Sequence, residues 1–193
     1  MKTVVLDPAT LERARAGDSR AFRALYEHHA DLVYGFLLRM LRDRAAAEDA
    51  VQDVFVRVLG ALRRFDPAGP AQLSTWILAI ARRVALGELE RRRARPSGSL
   101  EGAGAVPAPL PPPELRLALE AAIGVLPEVL RSTFVLRECC ALSYQEVATL
   151  EGIDLGTVKS RLYRARAALQ TTLVDGPADS NERIGHEAIV ARS

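Results

Sequence analysis

Apolar residues recur at helical spacing along most of the chain, and no stretch alternates apolar and polar residues as a strand does. One helix is predicted to start at the capping residues Asp18 and Ser19 and to continue through Leu41. The next predicted helix has the most regular pattern, because apolar residues recur at i, i+3, i+4, i+7 and i+11 in a stripe made of Val51, Val54, Phe55, Val58 and Leu62. The pattern therefore predicts an all-α protein.

The helix with the apolar stripe has an acidic side opposite to it. Asp49, Asp53 and Val56 lie on that opposite side, and Glu48 and Gln52 flank them. Two carboxylates one turn apart repel each other, at a cost that solvent tolerates. Against a basic partner surface the same carboxylates would give attraction. An ordinary solvated face and a partner-binding face both fit this pattern.

A loop and a basic helix follow. Two prolines and a glycine interrupt the pattern in residues 63–74, and we expect Ser74 or Thr75 to start the next helix. Its apolar side is supplied by Trp76, Ile77, Ile80, Val84 and Leu89. Residues 82–95 carry six arginines against two glutamates. Such a helix can hold phosphates while the loop offers a pocket to an unstacked base, although arginines at a helix C-terminus also stabilise the helix itself.

A segment rich in proline and glycine divides the chain. Residues 94–113 contain six prolines and three glycines, a composition that cannot pack a core. We therefore expect two small helical domains at residues 10–94 and 114–175, joined by a flexible linker at 95–113. The tail at 176–193 is expected to be disordered or marginally helical.

The second domain contains a helix-turn-helix pattern. Ser143 and Glu146 form a capping box for a short helix that runs to about Glu151. Gly152 permits a tight turn, and Asp154 can cap the helix that follows. The two helices are expected to be held together by Val147, Ala148, Ile153, Val158 and Leu162.

The second of these helices carries charge of one sign. Between Leu155 and Val174 there is no acidic residue, and the basic ones are Lys159, Arg161, Arg164 and Arg166. A one-sided basic surface suits a phosphate backbone. The alternative is a solvated basic face, although such faces usually mix both signs.

Composition indicates local charged patches. Residues 1–96 carry 17 Lys and Arg against 12 Asp and Glu, a net charge of +5, whereas residues 97–193 carry 9 against 12, a net of −3. No apolar run approaches the roughly 20 residues that cross a bilayer. The first residues lack the apolar core of a signal peptide. We therefore expect a cytoplasmic protein.

Candidate catalytic and metal-binding groups are sparse. The histidines His28, His29 and His186 are scattered, and the sequence has neither a phosphate-binding GxxxxGK[ST] loop nor a metal-ligand spacing. We therefore expect no catalytic residue, no cofactor and no metal. The adjacent Cys139 and Cys140 are expected to pack on a buried helix, with a redox-sensitive thiol as the alternative.

The order of these segments resembles the extracytoplasmic-function (ECF) class of bacterial RNA polymerase sigma factors. The resemblance rests on AEDAVQDVFVRVL, on STWILAIARRVALGELERRR and on LPEVLRSTFVLRECCALSYQEVATLEGIDLGTVKSRLYRARAAL, and it covers residues 10–173. It implies sigma region 2 followed by sigma region 4, in a factor that binds core RNA polymerase, directs it to promoters and starts DNA melting without being an enzyme. It also implies that an anti-sigma factor is a partner.

The resemblance assigns roles to particular residues. It implies that the coiled coil of the largest polymerase subunit is gripped by Glu48, Asp49, Gln52, Asp53 and Phe55, and that the polymerase flap region is a further contact. It implies that the minus-10 promoter element is recognised and opened by Phe65, Asp66, Ser74, Thr75, Trp76, Arg82, Arg83 and Arg91. It implies that the minus-35 element is read in the major groove by Thr157, Lys159, Ser160, Arg161 and Arg164.

Two positions depart from the family pattern. The family commonly has Asn where this chain has Arg83, and often Asp where it has Gly87. Arginine adds a phosphate contact but removes a side chain that both donates to and accepts from a base edge, so we expect a different minus-10 preference. The rival interpretations are a free-standing helix-turn-helix regulator that binds operators as a dimer, and an enzyme with a DNA-binding appendage.

Overall fold

The computed structural model describes residues 6–94 and 113–175, and within these ranges the chain forms eight α-helices and no strand. This confirms the all-α class. The chain divides into two compact units, Met1–Gly104 and Ala105–Ser193. The predicted tail and almost all of the predicted linker lie outside the described residues. The exception is Pro113, which was assigned to the linker and is instead the first residue of a helix.

The first unit is built around one long central helix. Its helices are α1 Pro8–Arg15, α2 Ser19–Leu41, α3 Arg44–Ala61 and α4 Leu73–Ala94, with a short 3-10 turn at Leu62–Arg64. Helix α2 packs against α1, α3 and α4, and α3 also packs against α4. The core is apolar, and its largest fully buried side chains include Phe36, Leu37, Met40, Ile77 and Leu78.

Aspartates cap the first three helices of this unit, α1, α2 and α3. The Asp18 carboxylate accepts hydrogen bonds from the backbone N–H groups of Arg20 and Ala21, at 2.8 and 3.2 Å. The predicted start and end of α2 are both confirmed. Asp43 caps α3 by accepting from the Ala46 N–H at 3.0 Å, and this hydrogen bond is the main reason that the pKa of Asp43 lies below its usual value.

The apolar stripe of α3 is confirmed. All five of its residues are buried, namely Val51, Val54, Phe55, Val58 and Leu62. Asp49, Asp53 and Val56 are exposed, as expected for residues on the opposite side of the helix.

The predicted start of α4 is wrong by one or two residues. The helix begins at Leu73, and the Trp76 N–H donates to the Gln72 carbonyl at 2.9 Å. Because the backbone ladder already starts at Gln72, Ser74 and Thr75 lie inside the first turn, and Thr75 is buried.

The second unit contains the remaining four helices. They are α5 Pro113–Val125, α6 Glu128–Phe134, α7 Tyr144–Glu151 and α8 Leu155–Asp175, and a π-helical turn at Val135–Cys139 continues α6. Helix α8 packs against α5, α6 and α7. The buried side chains of this unit include Leu126, Val135, Leu136, Val158 and Leu162.

The adjacent cysteines are not core residues, so the expectation that both pack on a buried helix is wrong. Cys139 is exposed and Cys140 is half-buried. The π turn ends at Cys139, and Ala141 takes a left-handed conformation with φ of 58°. The helix therefore ends at this point, and the two cysteines lie at the surface of the unit and not in its core.

Candidate nucleic-acid and partner interfaces

The first candidate surface is the acidic face of α3, made of Glu48, Asp49, Gln52 and Asp53, which are all exposed. Glu48 accepts from Arg44 Nε at 2.9 Å, and this hydrogen bond raises the pKa of the Arg44 guanidinium. Among the described residues, neither Asp49 nor Asp53 has an ion-pair partner. The two carboxylates are therefore available to an external cation.

Apolar side chains extend this face. Val56 and Leu59 are both largely exposed on α3; the sequence prediction placed Val56 here but did not include Leu59. Phe55, which was also predicted to contact polymerase, is only 4% exposed, and its ring packs edge-on against that of Tyr26 with centroids 4.6 Å apart. Phe55 therefore supports the acidic face from beneath and does not offer its ring to a partner.

The second candidate surface is the loop between the 3-10 turn and α4. Phe65 is 5% exposed, and its ring centroid lies 5.1 Å from that of Trp76. Asp66 is exposed and folds the loop tightly, since its carboxylate accepts from the Ala68 N–H at 2.9 Å and its carbonyl accepts from the Gly69 N–H at 3.1 Å. Phe65 and Thr75, which were predicted to contact DNA, are both buried, and Phe65 forms the floor of the loop against Trp76.

The arginines of α4 do not form one continuous basic surface. Arg83 is exposed and Arg82 is half-buried. Arg91 is exposed and lies 3.0 Å from Glu88 on the preceding turn, and Arg92 is bound within the unit between α2 and α3. The cationic surface of this helix is therefore smaller than its arginine count predicts.

The third candidate surface is the helix-turn-helix of α7 and α8. The capping box of Ser143 and Glu146 is confirmed, and Gly152 closes α7 in a left-handed conformation with φ of 69°. Asp154 accepts from the Thr157 N–H at 2.8 Å and from the Thr157 hydroxyl at 2.5 Å, and these hydrogen bonds lower the pKa of Asp154. The predicted caps of both helices are therefore present.

The predicted apolar cluster between these helices also forms. Val147, Ala148, Val158 and Leu162 are buried, and Ile153 is half-buried in the turn. This packing fixes α8 relative to α7 and leaves the other side of α8 exposed.

The exposed side of α8 carries Lys159, Ser160 and Arg164. Between them projects Tyr163, whose side chain is 75% exposed and was missed because the sequence argument counted charges only. The sequence signal that could have identified Tyr163 was an aromatic residue beside cations on the predicted exposed side of the helix. A ring in this position could contact a thymine methyl or a sugar, and the neighbouring cations could contact phosphates.

Two of the four predicted cations of α8 are paired with acids on other elements, Arg161 in a largely buried position and Arg166 at the surface. Arg161 Nη1 lies 3.2 Å from a carboxylate oxygen of Glu151, and Arg166 Nη2 lies 2.5 Å from Glu138. The segment from Leu155 to Val174 contains no acid, but acids on other elements reach these arginines. Thr157 is half-buried with its hydroxyl bound to Asp154. The side of α8 whose cations have no acidic partner among the described residues is therefore smaller than the sequence predicted.

Other kinds of site are not visible in the described ranges. They contain no cluster of three or more His, Cys, Asp or Glu side chains that could hold a metal. His29 is buried, with Nδ1 2.9 Å from the Leu25 carbonyl. In residues 6–94 and 113–175, no helix combines the length and the apolar character needed to cross a membrane.

Comparison with known proteins identifies both units. Residues 25–95 match the family Sigma-70 region 2, and residues 116–169 match Sigma-70, region 4. The chain is 34% identical over 189 residues to the RNA polymerase sigma-H factor of Pseudomonas aeruginosa. The aligned region covers 90% of this chain and 96% of that protein. It is 32% identical over 184 residues to the ECF RNA polymerase sigma-E factor of Escherichia coli K12, with coverage of 88% and 95%.

A solved structure agrees with these relationships. The structure of CnrH in complex with the cytosolic domain of CnrY matches with a TM-score of 0.69 and 26% identity, over 90% of this chain and all of that chain. The two family regions occur in the order predicted from the sequence, one in each compact unit. The chain belongs to the sigma-70 family of bacterial RNA polymerase sigma factors, within its extracytoplasmic-function class.

Proposed function

We propose that the acidic face of α3 is the surface by which this sigma factor binds core RNA polymerase. The observation that carries the proposal is that Asp49 and Asp53 are exposed without ion-pair partners in the described residues, next to exposed Val56 and Leu59. Apolar area gives affinity when it is buried, and unpaired carboxylates steer and select a basic partner. The proposed partner surface is the coiled coil of the largest subunit, and Phe55 contributes by packing beneath the face.

The loop after the 3-10 turn and the start of α4 are proposed to recognise and open the minus-10 element. Asp66, Ser74 and Trp76 edge the loop, whose floor is Phe65. A tight polar turn beside the half-buried Trp76 ring, which Phe65 supports from below, suits an unstacked base, because stacking on an aromatic ring tolerates any base and the polar edge adds selection. Arg82, Arg83 and Arg91 then supply cations along the adjoining helix.

Helix α8 is proposed to read the minus-35 element in the major groove. Lys159, Ser160, Tyr163 and Arg164 form the exposed side, and Asp154 and Thr157 hold the N-terminus of the helix. Cations bind phosphates, whereas the hydroxyl and the ring can reach base edges. The polymerase flap is proposed as a further contact of this unit.

An anti-sigma factor is proposed as a further partner. CnrH, which this chain resembles, was solved with the cytosolic domain of CnrY. A protein that covers the acidic face of α3 would compete with core polymerase.

A truncation tests whether a separate protein controls the activity of this sigma factor. Transcription is measured with holoenzyme assembled from a chain truncated after residue 175. Unchanged activity is expected, and a large gain or loss would assign regulation to residues 176–193 instead.

We infer that the chain has no catalytic group of its own and works in the cytoplasm, where polymerase and promoter DNA meet. During promoter melting, the free energy gained when the sigma factor binds the unstacked strand takes the place of energy from a chemical reaction. Permanganate footprinting of promoter DNA should therefore show no melting with the sigma factor alone and melting with holoenzyme. Melting by the isolated chain would contradict this inference.

The polymerase-binding proposal is tested by reversing two charges. A chain carrying both Asp49→Lys and Asp53→Lys should bind core polymerase more weakly by about 2 kcal/mol or more, because the substitutions replace attraction by repulsion. The matched control is Asp31→Lys, an exposed aspartate on α2, which should leave affinity within about twofold. Fluorescence titration measures affinity and circular dichroism verifies folding. Equal affinity of a folded double variant and the control would refute the assignment.

A further inference from the structure

Glu151, the last residue of α7, has a fully buried side chain. One of its carboxylate oxygens accepts from the Ser132 hydroxyl at 2.6 Å, and the other accepts from the Thr133 hydroxyl at 2.6 Å. Arg161 of α8 donates to the second oxygen at 3.2 Å. One carboxylate therefore joins α6, α7 and α8.

A buried carboxylate stays ionised only where donors and a cation compensate for the lost hydration. The two hydroxyls of α6 provide the donors, and Arg161 provides the positive charge. Arg161 is itself only 20% exposed. The cation and the carboxylate thus behave as a neutral unit inside the helix-turn-helix.

Two exposed cations of α8, in contrast to Arg161, have no acidic partner within the described ranges to neutralise them. Lys159 and Arg164 lie in solvent on the same helix, and no acid of the described residues pairs with them. A free cation that meets a phosphate releases a condensed counterion, and binding then weakens as salt rises. A cation already neutralised by a buried carboxylate cannot do this unless the carboxylate is removed.

We propose that Glu151 is a positioning residue that withholds Arg161 from the DNA backbone and uses it to set the orientation of α8. Arg161 is then a structural residue, although its position in the helix suggests a DNA contact. The inference rests on the proposed function of α8 as the minus-35 reader. It deepens that proposal by explaining why Arg161, which the sequence predicted as a DNA contact, is absent from the contacting set.

The salt dependence of binding tests the proposal directly. Glu151→Gln keeps hydrogen-bonding atoms for Ser132 and Thr133 but removes the charge that holds Arg161. Binding of the full chain to a short fluorescein-labelled DNA duplex is followed by anisotropy as KCl is raised. The variant should steepen the slope of log K against log salt by about 0.9, so that about 3.5-fold more affinity is lost between about 50 and 200 mM. A simple loss of folding stability does not produce a steeper slope.

Two further variants give the reference points. Lys159→Gln should flatten the slope by about 0.9, because a phosphate-contacting charge is lost. The double variant E151Q with R161Q removes both partners together, keeps polar groups of similar size, and should show the wild-type slope. Circular dichroism reports whether each variant folds. If E151Q alone does not fold, the salt slope of the double variant still shows whether Arg161 contacts phosphate in the wild-type chain.

The outcomes separate the two proposals. An unchanged slope for folded E151Q, or a slope flatter than wild type for the double variant, would overturn the role of Glu151, because Arg161 would then be a phosphate contact already. A slope that Lys159→Gln leaves unchanged would count against α8 as a DNA-binding helix, which is a failure of the proposed function. A steeper slope for E151Q, with flattening by Lys159→Gln, supports both.

Discussion

Arg92, in the last turn of α4, has its Nη2 atom 3.0 Å from the carboxylate of Asp43, which caps α3. The other terminal nitrogen of Arg92 donates to the carbonyl of Leu41, the last residue of α2, at 3.4 Å. Helix ends leave backbone groups unsatisfied. A single guanidinium therefore joins the end of α2, the start of α3 and the end of α4.

Replacing Arg92 by Ala should lower the free energy of unfolding of the first unit by about 1–2 kcal/mol, because a partly buried charge-assisted pair and a carbonyl partner are both lost. Arg91→Ala is the matched control, since the contacts of Arg91 in the described residues stay within α4. That control should change stability by no more than about 0.5 kcal/mol. Urea denaturation followed by circular dichroism measures both, and equal effects would show that Arg92 is an ordinary surface arginine.

Gly152 occupies a left-handed conformation that L-residues with a β-carbon adopt at a cost. Gly152→Ala should destabilise the second unit by about 1 kcal/mol. Gly152→Asn should cost less, because asparagine tolerates this region. Space is not the cause, since a β-carbon at this position meets nothing within 4 Å. Thermal unfolding of the two variants checks the order, and an alanine variant as stable as wild type would contradict the backbone argument.

The loop before α4 should matter for promoter opening and not for duplex binding. Replacing residues 66–68 by Gly-Ser-Gly, with Phe65 retained, should impair melting by holoenzyme because the tight turn of Asp66 is lost. Permanganate reactivity at a target promoter reports melting, and a gel-shift assay reports binding of the closed complex.

Phe65→Ala provides the contrast to this loop variant. Removing a ring that is packed against Trp76 should lower the free energy of unfolding by about 3 kcal/mol. The loop variant should leave stability within about 1 kcal/mol. Normal melting by the folded loop variant would remove the loop from the opening mechanism.

The first unit should lose stability in mild acid. Burial is the main reason that the pKa of His29 lies below its ordinary value of 6.5. As the pH falls through 6.5, the unfolded chain binds a proton that the folded chain resists, so the free energy of unfolding decreases until the folded-state pKa is reached. His29→Gln should reduce this pH dependence, and His28→Gln should reduce it less, because burial lowers the pKa of His29 more than the charge of His28 does. Urea midpoints at several pH values test this, and an unchanged profile for His29→Gln would assign the effect to other groups.

The sequence predicted the features of the fold that neighbouring residues determine. The Asp18 cap, the buried stripe of α3 and the Ser143–Glu146 capping box depend on residues within about three turns of one another. The candidate cations were harder to predict. Arg161, Arg166 and Arg92 bind acids that lie 10, 28 and 49 residues away. Charge counted along one helix could not show which arginines meet acids from other elements.

The burial of loop residues was missed for a related reason. Phe65 lies in a segment rich in proline and glycine, where no periodicity assigns a side chain to the core. Its burial depends on Trp76, eleven residues further on, whose ring lies beside it because of the way α4 packs in the folded unit. The π turn at Val135–Cys139 likewise has no signature in the apolar pattern.

The buried carboxylate of Glu151 also constrains how this sequence can diverge. An apolar residue at position 151 would leave Arg161 half-buried without its anion, and an apolar residue at position 161 would leave the carboxylate without its cation. Replacing both together by apolar residues removes the conflict at little cost. Among close relatives these two positions should therefore covary, and Ser132 and Thr133 should keep their hydroxyls only where position 151 is acidic.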